Sequence, residues 1–118
     1  MEAKLSIFLL TATFLNMSFA IIYITHSSEQ EAQRIAQELL QAKLVACANI
    51  FPITSAYWWQ DAIQREGEWV SIVKTTLANW KKVEEKVLAI HPYETPCIMK
   101  WEVTANAAYE AWIENEVG

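Results

Sequence analysis

Thr54-Ser55-Ala56-Tyr57-Trp58-Trp59, Gln60-Asp61-Ala62 and Glu66-Gly67-Glu68-Trp69-Val70-Ser71-Ile72-Val73-Lys74 form the stretch whose reading decides the fold. Two runs rich in aromatic and β-branched residues flank a short polar break in which Asp61 tolerates a left-handed backbone, so the stretch reads as a long hairpin. Upstream, Lys43 to Phe51 carries Leu44, Val45, Cys47 and Ile50 ahead of Pro52 and reads as the start of the hairpin's first strand. Ser28 precedes Glu31 by three residues, a capping box, and Ala32, Ile35, Ala36, Leu39 and Leu40 follow at helical spacing. Phe19-Ala20-Ile21-Ile22-Tyr23-Ile24 is a nearly continuous apolar run, as a strand covered on both faces would be.

Downstream, Thr76 is placed to cap a second helix with Leu77, Trp80, Val83, Val87 and Leu88 on one face and Lys81, Glu84, Glu85 and Lys86 toward water. In His91-Pro92-Tyr93-Glu94-Thr95-Pro96 each proline pushes its predecessor out of the helical region, so the helix stops near Ile90 and a rigid extended loop leads into a strand over Cys97 to Val103. Asn106 then reads as the cap of a short third helix with Tyr109, Trp112 and Ile113 on one side. The order β-α-β-β-α-β plus a terminal helix is the α+β, ferredoxin-like sandwich, with both helices on one face of an antiparallel sheet. Its second and fourth strands are edges. Here those edges contain Leu44 to Trp59 and Cys97 to Val103, apolar and poorly defended against pairing, so edge pairing between subunits is expected, and a contact between two different edges closes as a ring and not as a two-fold dimer.

Composition sets the remaining limits. The 118 residues suffice for one domain with one core, and 53% of them are hydrophobic, six of them Trp. An indole buries up to about 250 Å², so some of Trp58, Trp59, Trp69, Trp101 and Trp112 are expected to be covered by another subunit. The net charge is −5, and no basic run exceeds Lys81-Lys82, which argues against nucleic acid as a partner. Cys47 and Cys97 lack zinc-finger or redox spacing, and on opposite edges of one chain they are too far apart for a disulfide. Residues 1–18 read as an apolar extension before a domain over 19–118. Leu5 to Leu15 resembles a signal-peptide core, and Ser18-Phe19-Ala20 has the form of a cleavage site, yet cleavage there would cut into the first strand. A retained extension on a cytoplasmic protein is expected, a periplasmic location being the alternative if residues 1–20 act as a signal; polar residues interrupting the run argue against a membrane anchor.

The residues that carry chemistry each have a plain reading beside the functional one. His91 is either the mouth of a stiff connector or a ligand. Glu66 and Glu68, two apart in a strand, share one face and are either solvated or line a cleft. Lys74 ends an apolar strand, where an ammonium is unusual. Cys47 and Cys97 read first as small buried hydrophobes, and His26 as a solvent-facing loop residue. No P-loop, G-x-G-x-x-G or nucleophile motif is present, so no enzymatic activity and no organic cofactor are expected.

Lys43 to Ile50, Tyr57-Trp58-Trp59, Glu66 and Glu68 ahead of Val73-Lys74-Thr75-Thr76, and His91 to Pro96, four blocks in this order, together resemble the divalent-cation-tolerance (CutA) family, over about Phe19 to Ile113. The resemblance implies a ferredoxin-like homotrimer with a role in tolerance of divalent metals such as copper and no established reaction. It also marks departures: the family's described copper ligands, a thiol ending the first strand and paired histidines before the proline, correspond here to Ile24, Ile90 and His91, and the usual turn glycine to Asp61. The metal set expected of this chain is therefore His91, Glu94, Glu66 and Glu68, binding copper or another divalent cation weakly. The alternative is a small-molecule sensing trimer whose pocket draws on Cys47, Trp59, Lys74 and Tyr93 together with Glu66 and His91.

Overall fold

The computed structural model describes residues 18–118. The extension read over residues 1–18 lies outside them except for Ser18. Strand β1 (Phe19–His26) leads to helix α1 (Glu29–Gln41), β2 (Cys47–Trp59), β3 (Ala62–Thr76), a single 3-10 turn (Leu77–Asn79), α2 (Trp80–Ile90), β4 (Ile98–Val103) and α3 (Ala107–Glu116). The sheet order is β2-β3-β1-β4 with every pairing antiparallel, so β2 and β4 are the edges.

Local signals account for most boundaries. Ser28 sits in extended backbone and its hydroxyl accepts from the Glu31 amide at 3.1 Å, which starts α1. The helix ends through Lys43 in left-handed geometry (φ 59°), with Lys43 N–H donating to the Leu40 carbonyl and Leu44 N–H to that of Leu39. That closing motif consumes residues 42–46, so β2 begins at Cys47 and not at Lys43, and Leu44 folds back onto the core. Thr76 makes no side-chain cap. Its neighbour Thr75 and Asn79 both donate to the Leu44 carbonyl instead, fixing α2 to the start of β2. Asn106 likewise caps α3 only with its backbone, while the buried Glu110 carboxylate accepts from Ala105 N–H at 2.7 Å.

Alternation along β1 sends Ile22 and Ile24 to one face, where they pack with Val73, with Ile35 and Leu39 of α1 and with Val83 and Val87 of α2; all are fully buried. The opposite face carries Tyr23, its register partners Ile72 and Met99, and Trp101, with Met99 and Trp101 both exposed. The hairpin outruns the sheet. β1 reaches β3 only as far as His26 opposite Trp69, so Ile53–Trp59 and Ala62–Glu68 pair with each other alone. Its two-residue turn holds Gln60 (φ 50°) and Asp61 (φ 64°) in left-handed backbone, the geometry whose twist matches a hairpin.

Candidate functional site

Glu66 and Glu68 project from β3 on the face that helices leave uncovered, opposite Ser55 and Ile53 of β2. The loop between α2 and β4 brings Tyr93, Glu94 and Thr95 over them, and Tyr23, Tyr57 and Trp59 complete the walls of a cleft of about 780 Å³. Tyr57 donates its hydroxyl to Glu66, and Tyr93 donates its own to Glu68 at 2.8 Å. The bond to Glu66 pushes the Tyr57 phenol up to about 12, and burial followed by the bond to Glu68 pushes Tyr93 up as well. Both phenols therefore stay protonated donors. Burial, with Glu68 nearby, also raises the Cys97 thiol, which lines the same cleft and is free.

His91 sits just behind this wall. Its Nε2 lies 2.8 Å from the Thr25 carbonyl and its Nδ1 accepts from Tyr93 N–H at 3.1 Å. A carbonyl can only accept, so Nε2 carries the proton and Nδ1 the lone pair: a neutral imidazole with both nitrogens engaged. The expected ligand thus ties the loop to the end of β1 and orients Tyr93, and it could coordinate a metal only by surrendering one of these bonds.

His26 corrects the sequence reading. It is no solvent-facing loop residue: β1 runs two residues past Ile24, and the same alternation that buries Ile22 and Ile24 buries His26 completely. Its Nε2 meets Ser71 Oγ at 2.8 Å, its ring stacks on His91 with centroids 5.4 Å apart, and its Nδ1 has no partner. Burial, reinforced by His91, lowers its pKa to about 4, against a smaller opposing pull from Glu31. Arg34 of α1 donates to the Ile90 carbonyl at 2.8 Å and closes the outside of the cluster. The signal was present in the sequence as parity with Ile22 and Ile24.

Cys47 and Lys74 do not join the cleft. They are register partners at the far end of the hairpin. Six residues of β3 separate Lys74 from Glu68, roughly 20 Å at about 3.3 Å per residue. There Lys74 Nζ donates to the Tyr109 hydroxyl at 3.1 Å, which raises the lysine, and Cys47 Sγ lies 3.6 Å from the same oxygen. The sequence-based pocket is therefore two places: Trp59, Glu66 and Tyr93 with His91 behind at one end, Cys47 and Lys74 at the other. Tyr57, which the sequence reading did not name as a site residue, belongs to the cleft. Among the described residues no three His, Cys, Asp or Glu side chains are gathered as a metal site, and no helix is long and apolar enough to cross a membrane.

Residues 20–116 match the family model described as CutA1 divalent ion tolerance protein. The chain is similar to a divalent-cation tolerance protein CutA from Archaeoglobus fulgidus, 51% identical over 77 residues, which span 65% of this chain and 76% of the relative. It is similar to the Thermotoga maritima protein of the same description, 38% identical over 82% of this chain and 97% of that one. Among solved structures, the periplasmic divalent cation tolerance protein CutA of Archaeoglobus fulgidus superposes with a TM-score of 0.83 at 42% identity, over 85% of this chain and 99% of that one.

Proposed function

The chain belongs to the CutA1 divalent ion tolerance family, and from that premise we propose that it acts in the response to divalent cations as a non-catalytic homotrimer that takes the cation on Glu66, Glu68 and Glu94. The observation that carries this reading is the cleft itself: three carboxylates on its walls and not one Lys or Arg among its lining residues. Oxygen ligands of this kind suit hard or borderline divalent ions, and affinity is modest because the three carboxylates line one cleft without being gathered as a ready-made ligand cluster. Copper would be favoured only by recruiting the imidazole of His91 at the expense of its hydrogen bonds. Trimer formation is supported by two unpaired edges and by Trp58, Trp59, Ile63, Met99 and Trp101, all large, apolar and exposed in the single chain. We place the protein in the cytoplasm with residues 1–18 retained, for which the intact mass of the native protein is the check.

Light scattering on the native protein is expected to give three times the chain mass. Calorimetric titration of the metal-free trimer with manganese, zinc and copper is expected to show weak binding that Glu68→Gln lowers by about tenfold or more, equivalent to roughly 1.4 kcal/mol, while His91→Ala keeps manganese binding. A monomer or dimer would remove the assembly. Loss of all metal binding in an intact His91→Ala trimer would make the imidazole a ligand and the carboxylates secondary.

A further inference from the structure

We propose that the cleft between the hairpin and the His91–Pro96 loop is a binding site for an aliphatic polyammonium ion. This goes beyond the divalent-cation reading and does not depend on it, because it explains what a bare metal ion leaves unused: the size of the cleft and its aromatic walls. At about 780 Å³ the cleft falls within the roughly 300–1,000 Å³ of organic-ligand pockets. Its charges are all negative, and its walls include Tyr23, Tyr57, Trp59 and Tyr93. Aromatic faces attract ammonium groups and pack against methylene chains, whereas they offer a hard metal ion no ligand atom.

Glu68 gives the sharpest indication. It is only 8% exposed, yet among the described residues it has no cationic partner; a neutral phenol, Tyr93, supplies its hydrogen bond. A carboxylate withdrawn from water without a counterion is costly, and Glu68 lines the cleft. Glu66 lies two residues along the same strand face, about 7 Å away. That interval is comparable to the separation of neighbouring ammonium groups on three- or four-carbon spacers. Two carboxylates at this spacing with aromatic surface beside them match a chain that alternates ammonium and methylene segments.

The probe is spermidine, titrated calorimetrically into the metal-free native protein, with a diol of similar chain length as the neutral control. Spermidine is expected to saturate at one site per chain and the diol to give no binding. Glu68→Gln, which keeps an acceptor for Tyr93, is expected to weaken spermidine by about tenfold or more. Should circular dichroism show that this variant misfolds, the exposed Glu66→Gln is expected to produce the same direction of change. Tyr57→Leu combined with Trp59→Leu is expected to weaken spermidine by a similar factor. Glu85→Gln, on the outer face of α2, is expected to change nothing. No saturable heat with spermidine, equal binding of the diol, or equal weakening by Glu85→Gln overturns the proposal. Absence of metal binding alongside specific spermidine binding would refute the divalent-cation site and leave this one standing.

Discussion

Strand β3 lives in two environments. From Trp69 to Lys74 it is flanked by β1 and β2, β1 continuing to Thr76, and Val70, Ser71, Val73 and Thr75 are buried. From Ala62 to Gly67 the same strand, in unbroken register with β2, is exposed throughout and touches no third strand. The ladder to β2 runs through both halves, but only the packed half has a second ladder, to β1, and only it is buried. A two-stranded ribbon is marginal in water by itself, yet this one ends in Trp58, Trp59 and Ile63. The packed half supplies the stability of the chain, and the projecting half supplies surface: one wall of the cleft and an apolar tip for another copy to cover.

The largest effect that tests this division comes from paired truncations. Ile22 faces Val73 across the β1–β3 ladder and is fully buried, so Ile22→Ala is expected to cost about 2–5 kcal/mol in urea unfolding. Ile63→Ala on the ribbon, half-exposed, is expected to cost under about 0.5 kcal/mol in the dissociated chain, and with Trp58→Ser to lower the oligomer mass seen by light scattering. If the ribbon truncation destabilises the dissociated chain as much as Ile22→Ala, burial does not separate the two halves.

The packed half also hides a titration. An imidazole whose folded pKa is about 4 and whose unfolded value is near 6.5 binds more protons in the unfolded chain. Stability is thus complete above about pH 6.5 and falls as the pH drops toward 4, by an amount on the order of 3 kcal/mol for His26 alone. His26→Phe keeps a ring against His91 and removes the charge, so its unfolding free energy is expected to change less over pH 7 to 4 than the parent's, as urea titrations at several pH values will read. Equal slopes would show that carboxylates elsewhere, and not the buried imidazole, set the acid limit.

Much of this arrangement was legible in the sequence. The strand and helix order, the edge positions and the placement of Glu66 and Glu68 on one face all follow from period and punctuation, because burial writes a repeating pattern. What escaped were features set by single contacts. The strand start at Cys47 depends on a left-handed Lys43, where the usual glycine signal is missing. The division of Cys47 and Lys74 from Tyr93 and Glu68 is a distance along a strand, which a list of attractive residue types conceals. The engagement of both His91 nitrogens depends on the Thr25 carbonyl and the Tyr93 amide, backbone groups that carry no residue signature. His26 was misplaced by ending a strand two residues early, an error that inverted its environment.

The smallest expected effect lies at the hairpin tip and tests how far the two halves of β3 are independent. Gln60 and Asp61 both occupy left-handed backbone, which costs an L-residue about 1–2 kcal/mol apiece, least for Asn and Asp, and which glycine adopts freely. Replacing the pair with Asn and Gly, Gln60→Asn with Asp61→Gly, is therefore expected to stabilise the turn by about 0.5–1 kcal/mol. If the ribbon opens separately from the sheet, that gain belongs to a local equilibrium. Amide exchange at Tyr57 and Gln64, register partners near the tip, is then expected to slow about two- to fivefold, while the urea midpoint of the whole chain stays where it was. A full shift of the global midpoint would mean that ribbon and sheet unfold as one unit, and the exposed half of β3 would have to be counted as part of the core's cooperative structure despite having no third strand beside it.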